Sequence, residues 1–315
     1  MELFRDINID WLGKKWYMLA FSLVFSVSGI FSMLFWHKIP YGVDFKGGTQ
    51  VHVSFDRTPT EDHIRAAFDA AGIKDAKIQA VRGDQTARPE VLVSLPEKSD
   101  ATGFDARAAV LGAMEANYHD GGFKVESSQT IVPTAGEQLR HQALFATLYS
   151  LIGMLVYLWF RFELIYGVAA VVAVFHDTLI TLGAFSLTNQ EITLTVVAAI
   201  LTLVGYSMND TIVVFDRIRE NLATARRETL ATVVNRSINQ TLSRTILTSG
   251  LTFLTVLSLY LFGGEVLHGF SFALVVGILI GTYSSIAVAA PMLVAYQDWR
   301  IAKGKATSLP GGKRA

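Results

Sequence analysis

The 315-residue chain has no cysteine and few charged residues. Without cysteine it can form neither a disulfide nor a thiolate metal site. Charged residues make up 17% of the sequence and apolar residues 51%, whereas a soluble domain carries about 25% charge. This composition excludes an ordinary soluble protein. The HExxH, GxSxG and P-loop spacings are also missing, and the histidines form no metal set, so we expect no enzyme activity and no cofactor.

Six long apolar stretches predict membrane spans, because a bilayer core about 30 Å thick requires roughly 20 apolar residues in a helix. The stretches are residues 16–36, 143–160, 164–187, 192–215, 245–263 and 270–294. Asp177 and Asp210 are the only charged residues within them. The first stretch ends at Trp36 without a small-residue cleavage site, so we expect an uncleaved anchor rather than a signal peptide.

Positive and negative charges are sorted along the chain, although the formal net charge is zero. Residues 37–137 have a net charge of −4, whereas residues 216–244 and the tail after Leu293 are basic. Basic loops remain in the cytoplasm, and Lys14 and Lys15 precede the first span. The pattern therefore predicts that both termini are cytoplasmic and that 37–137 is exported. The basic stretch RIRENLATARRE is expected to face membrane lipids.

The exported tract is predicted to be a small α+β domain. Hydrophobic periods of two and of 3.6 alternate along it in the order βαββαβ, which is typical of a ferredoxin-like fold. The predicted strands are 50–55, 77–81, 90–95 and 123–132, and the predicted helices are 60–71 and 105–118. The full organisation is then a cytoplasmic segment 1–15, transmembrane helix 16–36, exported domain 37–137, membrane domain 138–297 with helices two to six, and cytoplasmic tail 298–315.

Asp210 is the strongest candidate functional residue, because a carboxylate inside a bilayer costs at least about 2.5 kcal/mol. The length of its span places it in the cytoplasmic half of the membrane. Asn209 could donate to its carboxylate, and Arg244, at the start of the fifth span, could reach it from the side. A changing contact with Arg244 would alter the proton affinity of Asp210. The alternative is a static contact that fastens two helices together.

Two further segments each admit a functional and a structural interpretation. His176 and Asp177 in the third span are either a second proton-handling pair or a local packing hydrogen bond. The segment PYGVDFKGGT at residues 40–49 has two adjacent glycines, and Asp44 in it can bond to nearby backbone amides. By itself this segment predicts a turn before the first strand.

Together these motifs resemble the SecF family, from the SecDF accessory complex of bacterial protein export, in the resistance-nodulation-division class of proton-driven transporters. The resemblance covers nearly the whole chain. It rests on VDFKGGT at 43–49, HD at 176–177, GYSMNDTIVVFDRIREN at 205–221 and QTLSRTILTSG at 240–250.

The resemblance implies a role for each motif. Asp210 corresponds to a carboxylate linked to proton movement, and Arg244 to the arginine of the family's S-R-T segment. The D-F-x-G-G element corresponds to Asp44, Phe45, Gly47 and Gly48 and implies coupling between the exported domain and the membrane part.

The resemblance also implies partners and a location. The implied partners are SecD, in a twelve-span pseudo-symmetric unit, the SecYEG translocon, unfolded preproteins and protons, with no nucleic acid. The implied location is the bacterial inner membrane, with the large first loop in the periplasm.

Three other functions fit parts of the sequence. A proton-coupled exporter of small molecules or lipids would use the same carboxylate, but it requires a binding pocket for which the exported domain looks too small. An intramembrane hydrolase using His176 and Asp177 lacks a nucleophile and a third metal ligand. A purely structural subunit would tolerate Asp210→Asn.

Overall fold

The computed structural model describes residues 8–73, 76–81, 88–96, 105–131, 133–225 and 228–304. The strands are β1 (Gly48–Phe55), β2 (Lys77–Val81), β3 (Glu90–Pro96) and β4 (Phe123–Ile131). The helices are α1 (Lys15–Phe35), α2 (Val43–Lys46), α3 (Glu61–Ala70), α4 (Ala106–Asn117), α5 (Pro133–Arg161), α6 (Leu164–Leu187), α7 (Leu194–Thr224), α8 (Leu230–Phe262), α9 (Gly264–Ser284) and α10 (Ala290–Ala302). A π-helical turn, Ser285–Ala289, joins α9 to α10.

The segment from Gly48 to Ile131, which we call the head domain, has the predicted ferredoxin-like fold. Its four strands lie in the order β2-β3-β1-β4, and every neighbouring pair is antiparallel. The predicted strand and helix bounds agree with the structure to within one or two residues. Val132, the last residue of the predicted fourth strand, lies outside the described residues.

The head domain forms because its apolar residues follow the strand and helix periods. Val51, Val53 and Phe55 alternate along β1 and are buried. Ile64 of α3 and Met114 of α4 pack into the same core cluster. The Asp105 carboxylate accepts a hydrogen bond from Ala108 N at 3.1 Å and so caps the start of α4.

The chain contains six helical segments that are long and apolar enough to cross a membrane, among the described residues. They are α1, α5, α6, α7, α8 and the continuous segment formed by α9, the π turn and α10. The prediction of six spans is therefore confirmed, and the protein is a multi-pass membrane protein.

Three of these helices extend well beyond the apolar runs that predicted them. α7 continues to Thr224 and α8 already begins at Leu230, while α5 begins at Pro133, inside the tract assigned to the exported domain. A span predicted from apolar length ends at the first charged residues. In the structure, buried Ile218 and Leu222 continue the inward-facing side of α7 at helical spacing. Packing of that face keeps the charged extension helical.

Helices α6, α7 and α9 form the centre of the bundle, and α1 packs on α6 at a glycine contact. A Cβ atom on Gly29 would lie 2.9 Å from Gly183 Cα, so only glycine permits this approach. One turn further, Ser32 Oγ lies 2.8 Å from Ser186 Oγ. The first span is thereby fixed to the helix that carries Asp177.

Candidate functional site

Asp210 lies inside the bundle, where α7, α8 and α9 meet. The residue is only 3% exposed. Ser249 Oγ of α8 donates to Asp210 Oδ2 at 2.6 Å, and the Thr282 hydroxyl of α9, which donates to Ile278 O at 2.8 Å, lies near the carboxylate. Both partners are neutral hydroxyls, so they can serve a charged or a protonated carboxyl group.

Arg244 and Asn209, which the sequence left as possible partners of Asp210, form no hydrogen bond or ion pair with it. Both residues are exposed on the outer surface of the α7–α8 pair. Arg244 forms no ion pair with Asp210 and influences it only through longer-range electrostatics. Consecutive residues on a helix point about 100° apart, so Asn209 cannot share the inward direction of its neighbour.

Asp177 of α6 forms a second buried carboxylate site and is 1% exposed. Ser207 Oγ of α7 and Ser284 Oγ of α9 donate to Asp177 Oδ2 at 2.6 and 2.7 Å. His176 Nδ1 lies 3.0 Å from Asp177 Oδ1. His176 Nε2 is buried without a partner among the described residues.

The two carboxylates share α7 and α9. Ser207, which binds Asp177, precedes Asp210 by three residues on α7, and Thr282 precedes Ser284 by two on α9. The π turn starts directly after Ser284. π turns inside helices recur at functional sites, and this one begins directly after the two α9 hydroxyls at the carboxylates, Thr282 and Ser284.

The segment that joins α1 to the head domain contacts the start of α7. Asp44 Oδ2 accepts a hydrogen bond from Leu194 N, the first residue of α7, at 2.8 Å. The expected bond from Asp44 to nearby amides is therefore replaced by a contact 150 residues away. Phe45 is buried among apolar residues of the membrane domain, including Phe185 and Val196.

Gly47 and Gly48 complete this connection with an unusual backbone. Their φ angles are +77° and +139°, a region that residues with a Cβ rarely occupy. The chain turns here from α2 into β1, the central strand that pairs with both β3 and β4. The two glycines thus allow the head domain to follow directly from the contact with α7.

Two more contacts fix the head domain on the membrane domain at the loop before α7. Tyr41 and Ile192 form a parallel β-bridge, with Gly42 N donating to Ile192 O at 2.9 Å. Lys77 Nζ of β2 forms an ion pair with Glu191 Oε1 at 3.1 Å. The bridge comes from the connecting segment and the ion pair from the sheet itself.

The fold and the site define a class: a polytopic membrane protein with buried carboxylates in its bundle and an α+β domain attached at the start of the central helix. A family model described as "Protein export membrane protein SecD/SecF, C-terminal" matches residues 111–299. A protein translocase subunit SecF from Koribacter versatilis is 54% identical over 99% of this chain and 97% of its own length. One from Desulfurispirillum indicum is 43% identical over 92% of both chains.

This chain belongs to the SecF family of protein translocase subunits. Its fold is similar to the crystal structure of SecDF, a translocon-associated membrane protein, from Thermus thermophilus, with a TM-score of 0.81, 39% identity and 93% of this chain covered. A SecDF structure in a super-membrane-facing form gives a TM-score of 0.70 at 38% identity, with 95% covered. This chain spans about two fifths of the length of each of those SecDF chains.

The sequence indicated the acidic residues of the site but not their hydroxyl partners. Ser207, Ser249, Thr282 and Ser284 all bind or face a carboxylate in the bundle. One signal was visible: serines and threonines recur every fourth residue along α8. Among the described residues, no group of three acidic or histidine side chains could hold a metal ion.

Proposed function

We propose that this chain is an accessory subunit of the Sec protein translocase. Together with SecD, it uses the proton motive force to promote movement or release of preproteins on the periplasmic side. Membership of the SecF family supports the role in translocation, and the two buried carboxylates support proton use.

The observation that carries the proposal is the continuity of α7. This single helix begins at the Asp44 carboxylate below the head domain and carries Asp210 sixteen residues later, about 24 Å along its axis. A shift of α7 on protonation of Asp210 would therefore act directly on the segment that holds the head domain. Asp44, Phe45, Gly47 and Gly48 are the coupling residues in this proposal.

Protonation of Asp210 changes what its neighbours can do. An ionised carboxylate only accepts hydrogen bonds, whereas a protonated one also donates. The hydroxyls of Ser249 and Thr282 must then reorient, which alters the contact of α7 with α8 and α9. A proton crossing 100 mV supplies about 2.3 kcal/mol, so a few protons are sufficient to move a weakly bound domain.

The charge pattern supports an orientation in the bacterial inner membrane. Lys14 and Lys15 lie before α1, and the connection between α7 and α8 is basic, which favours the cytoplasm for both. The head domain is then periplasmic and both termini are cytoplasmic. An emerging, unfolded preprotein would meet the head domain there, beside SecYEG.

The outer face of α7 and α8 supports SecD as the membrane partner. Thr202, Asn209, Arg244 and Thr248 are all exposed on these two transmembrane helices. Polar and charged residues are unfavourable against lipid, so this face fits another membrane subunit. Arg244 and Asn209 would then act in the proton relay from that interface, with His176 and Asp177 on the opposite side of α7.

The test is export of a secreted precursor in cells that carry Asp210→Asn, with and without an uncoupler. We expect the variant to lose the uncoupler-sensitive stimulation of export. Asp216→Asn is the matched control, because Asp216 lies on the same helix but is exposed and paired with Arg161 at 3.0 Å. Normal stimulation by Asp210→Asn would reject the proton role. Unchanged export with impaired drug resistance would favour a small-molecule exporter instead.

A further inference from the structure

Four buried hydroxyl residues form a line along α8. Ser237, Thr241, Thr245 and Ser249 are spaced four residues apart and are at most 6% exposed. Consecutive residues at this spacing lie about one turn apart, each rotated by about 40°, so the four wind across one broad face of α8. Here that face packs against α7, which carries Asp210.

The two ends of the line are fixed to α7 by hydrogen bonds. At one end, Asn221 Nδ2 of α7 donates to Ser237 Oγ at 2.8 Å. At the other end, Ser249 Oγ donates to Asp210 Oδ2 at 2.6 Å. Thr241 and Thr245 lie between these cross-links, so the line runs from the end of the bundle near the α7–α8 connection to the buried carboxylate.

Hydroxyls on membrane helices usually satisfy themselves by bonding to the carbonyl four residues earlier. Ser237 does so with Val233 O at 2.7 Å, and Thr241 with Ser237 O at 3.0 Å. Thr245 departs from this pattern, since it is 2% exposed and its Oγ1 has no partner among the described residues. A buried hydroxyl without a protein partner is normally met by water.

The spacing of the line suits alternating hydroxyls and water molecules. Four residues of α-helix rise about 6 Å, which is roughly twice an O–H···O distance of about 2.8 Å. By axial rise, one bridging water molecule would match the separation of consecutive hydroxyls. Hydroxyls and water both donate and accept hydrogen bonds, so each group can release its own proton to one neighbour as it receives a proton from the other.

We propose that Ser237, Thr241, Thr245 and Ser249 form, with intervening water, the path by which protons pass between Asp210 and the cytoplasmic end of the bundle. The hydroxyl groups are chemically unchanged after each transfer, because every hydroxyl regains one proton for each proton it gives up. Ile238 and Leu242 are buried along one flank of the line. This proposal rests on the proposed function, since it supplies the route for the proton that Asp210 binds.

The test compares Thr245→Val, which removes the hydroxyl at nearly constant shape, with Thr245→Ser, which retains it. We expect Thr245→Val to lower proton-driven stimulation of export about tenfold, equal to about 1.4 kcal/mol of barrier, and Thr245→Ser to restore most of it. The control is Thr255→Val, because Thr255 is exposed and donates to Leu251 O at 3.0 Å. Proton flux into vesicles containing the variant complex with SecD, followed by a pH-sensitive dye, is expected to fall in parallel.

Three results would overturn the path. Normal stimulation by Thr245→Val alongside a loss in Asp210→Asn would reject the path and leave the proposed function standing. Equal loss in Thr245→Ser and Thr245→Val would show that shape rather than the hydroxyl matters. Normal stimulation by both Thr245→Val and Asp210→Asn would reject the proposed function together with its route. If Thr245→Val fails to accumulate in the membrane, Thr241→Val is assessed by the same outcomes.

Discussion

The two buried carboxylates differ in how completely their surroundings satisfy them. Asp177 receives two serine hydroxyls on one oxygen and the His176 ring on the other. Asp210 receives the Ser249 hydroxyl, with Thr282 nearby. A carboxylate with more donors leaves more hydrogen bonds unmade when it is removed. Asp177 therefore ties α6 to α7 and α9, whereas Asp210 is held by fewer hydrogen bonds.

The largest effect is expected when Asp177 is removed. Asp177→Ala leaves the Ser207 and Ser284 hydroxyls without their buried partner, which should cost about 2 to 4 kcal/mol of folding stability. Asp210→Ala should cost less, because it orphans fewer donors. Thermal unfolding of the purified complex compares the two variants, and equal losses would remove the distinction between the two sites.

A smaller effect is expected at the acidic residue that joins the head domain to α7. Asp44→Ala removes the acceptor for Leu194 N, as in the loss of a helix cap, and should cost about 1 kcal/mol. Its effect on proton-driven export should exceed that of an equally destabilising change in the head core, because it breaks the coupling contact. Asp44→Asn keeps an acceptor and serves as the control. If Asp44→Ala retains full stimulation, α7 does not transmit motion through this contact.

The Lys77–Glu191 ion pair should contribute less than Asp44 to the same attachment. Lys77 and Glu191 are 38% and 12% exposed at their side chains, so solvent partly screens the pair, and surface pairs contribute up to about 1 kcal/mol. The charge-reversed double variant Lys77→Glu, Glu191→Lys should restore export lost in either single variant. The unfolding temperatures of the unmodified protein, the two single variants and the double variant give the coupling energy between Lys77 and Glu191. A coupling energy of zero would exclude a role for the pair.

The smallest effect is expected at an exposed carboxylate of the head domain. Hydrogen bonds from Lys124 and Ser54 lower the pKa of Glu126 below its usual value. Its folded pKa is depressed, so its contribution to stability is present above the unfolded pKa of about 4.3 and is lost as pH falls through the folded pKa. Glu126→Gln should flatten that part of the curve of unfolding temperature against pH. An unchanged curve would show that Glu126 contributes nothing there.

The sequence predicted the architecture well because hydrophobic periodicity depends only on local pattern. The βαββαβ order followed from the alternation around Val51 and the helical spacing around Val110. The six spans followed from apolar length. The extensions of α7 and α8 were missed, since their inward apolar faces lie within charged segments.

The site was only partly predictable, because sequence does not fix the rotation of a helix about its axis. Arg244 and Ser249 both lie at about the depth of Asp210 in the membrane. Residues five positions apart on an α-helix nevertheless point about 140° apart. Ser249 therefore faces inward and Arg244 outward. The contact of Asp44 with Leu194 joins residues 150 positions apart, and only the tertiary fold reveals it.

The central claim is that Asp210 takes up and releases a proton within the assembled complex. Infrared difference spectra of the reconstituted complex, recorded as pH is lowered, follow the C=O stretch of protonated carboxyl groups directly. We predict a band that is present in the unmodified chain and in Asp177→Asn but absent in Asp210→Asn. A band that persists in Asp210→Asn, or that disappears only in Asp177→Asn, would contradict the account.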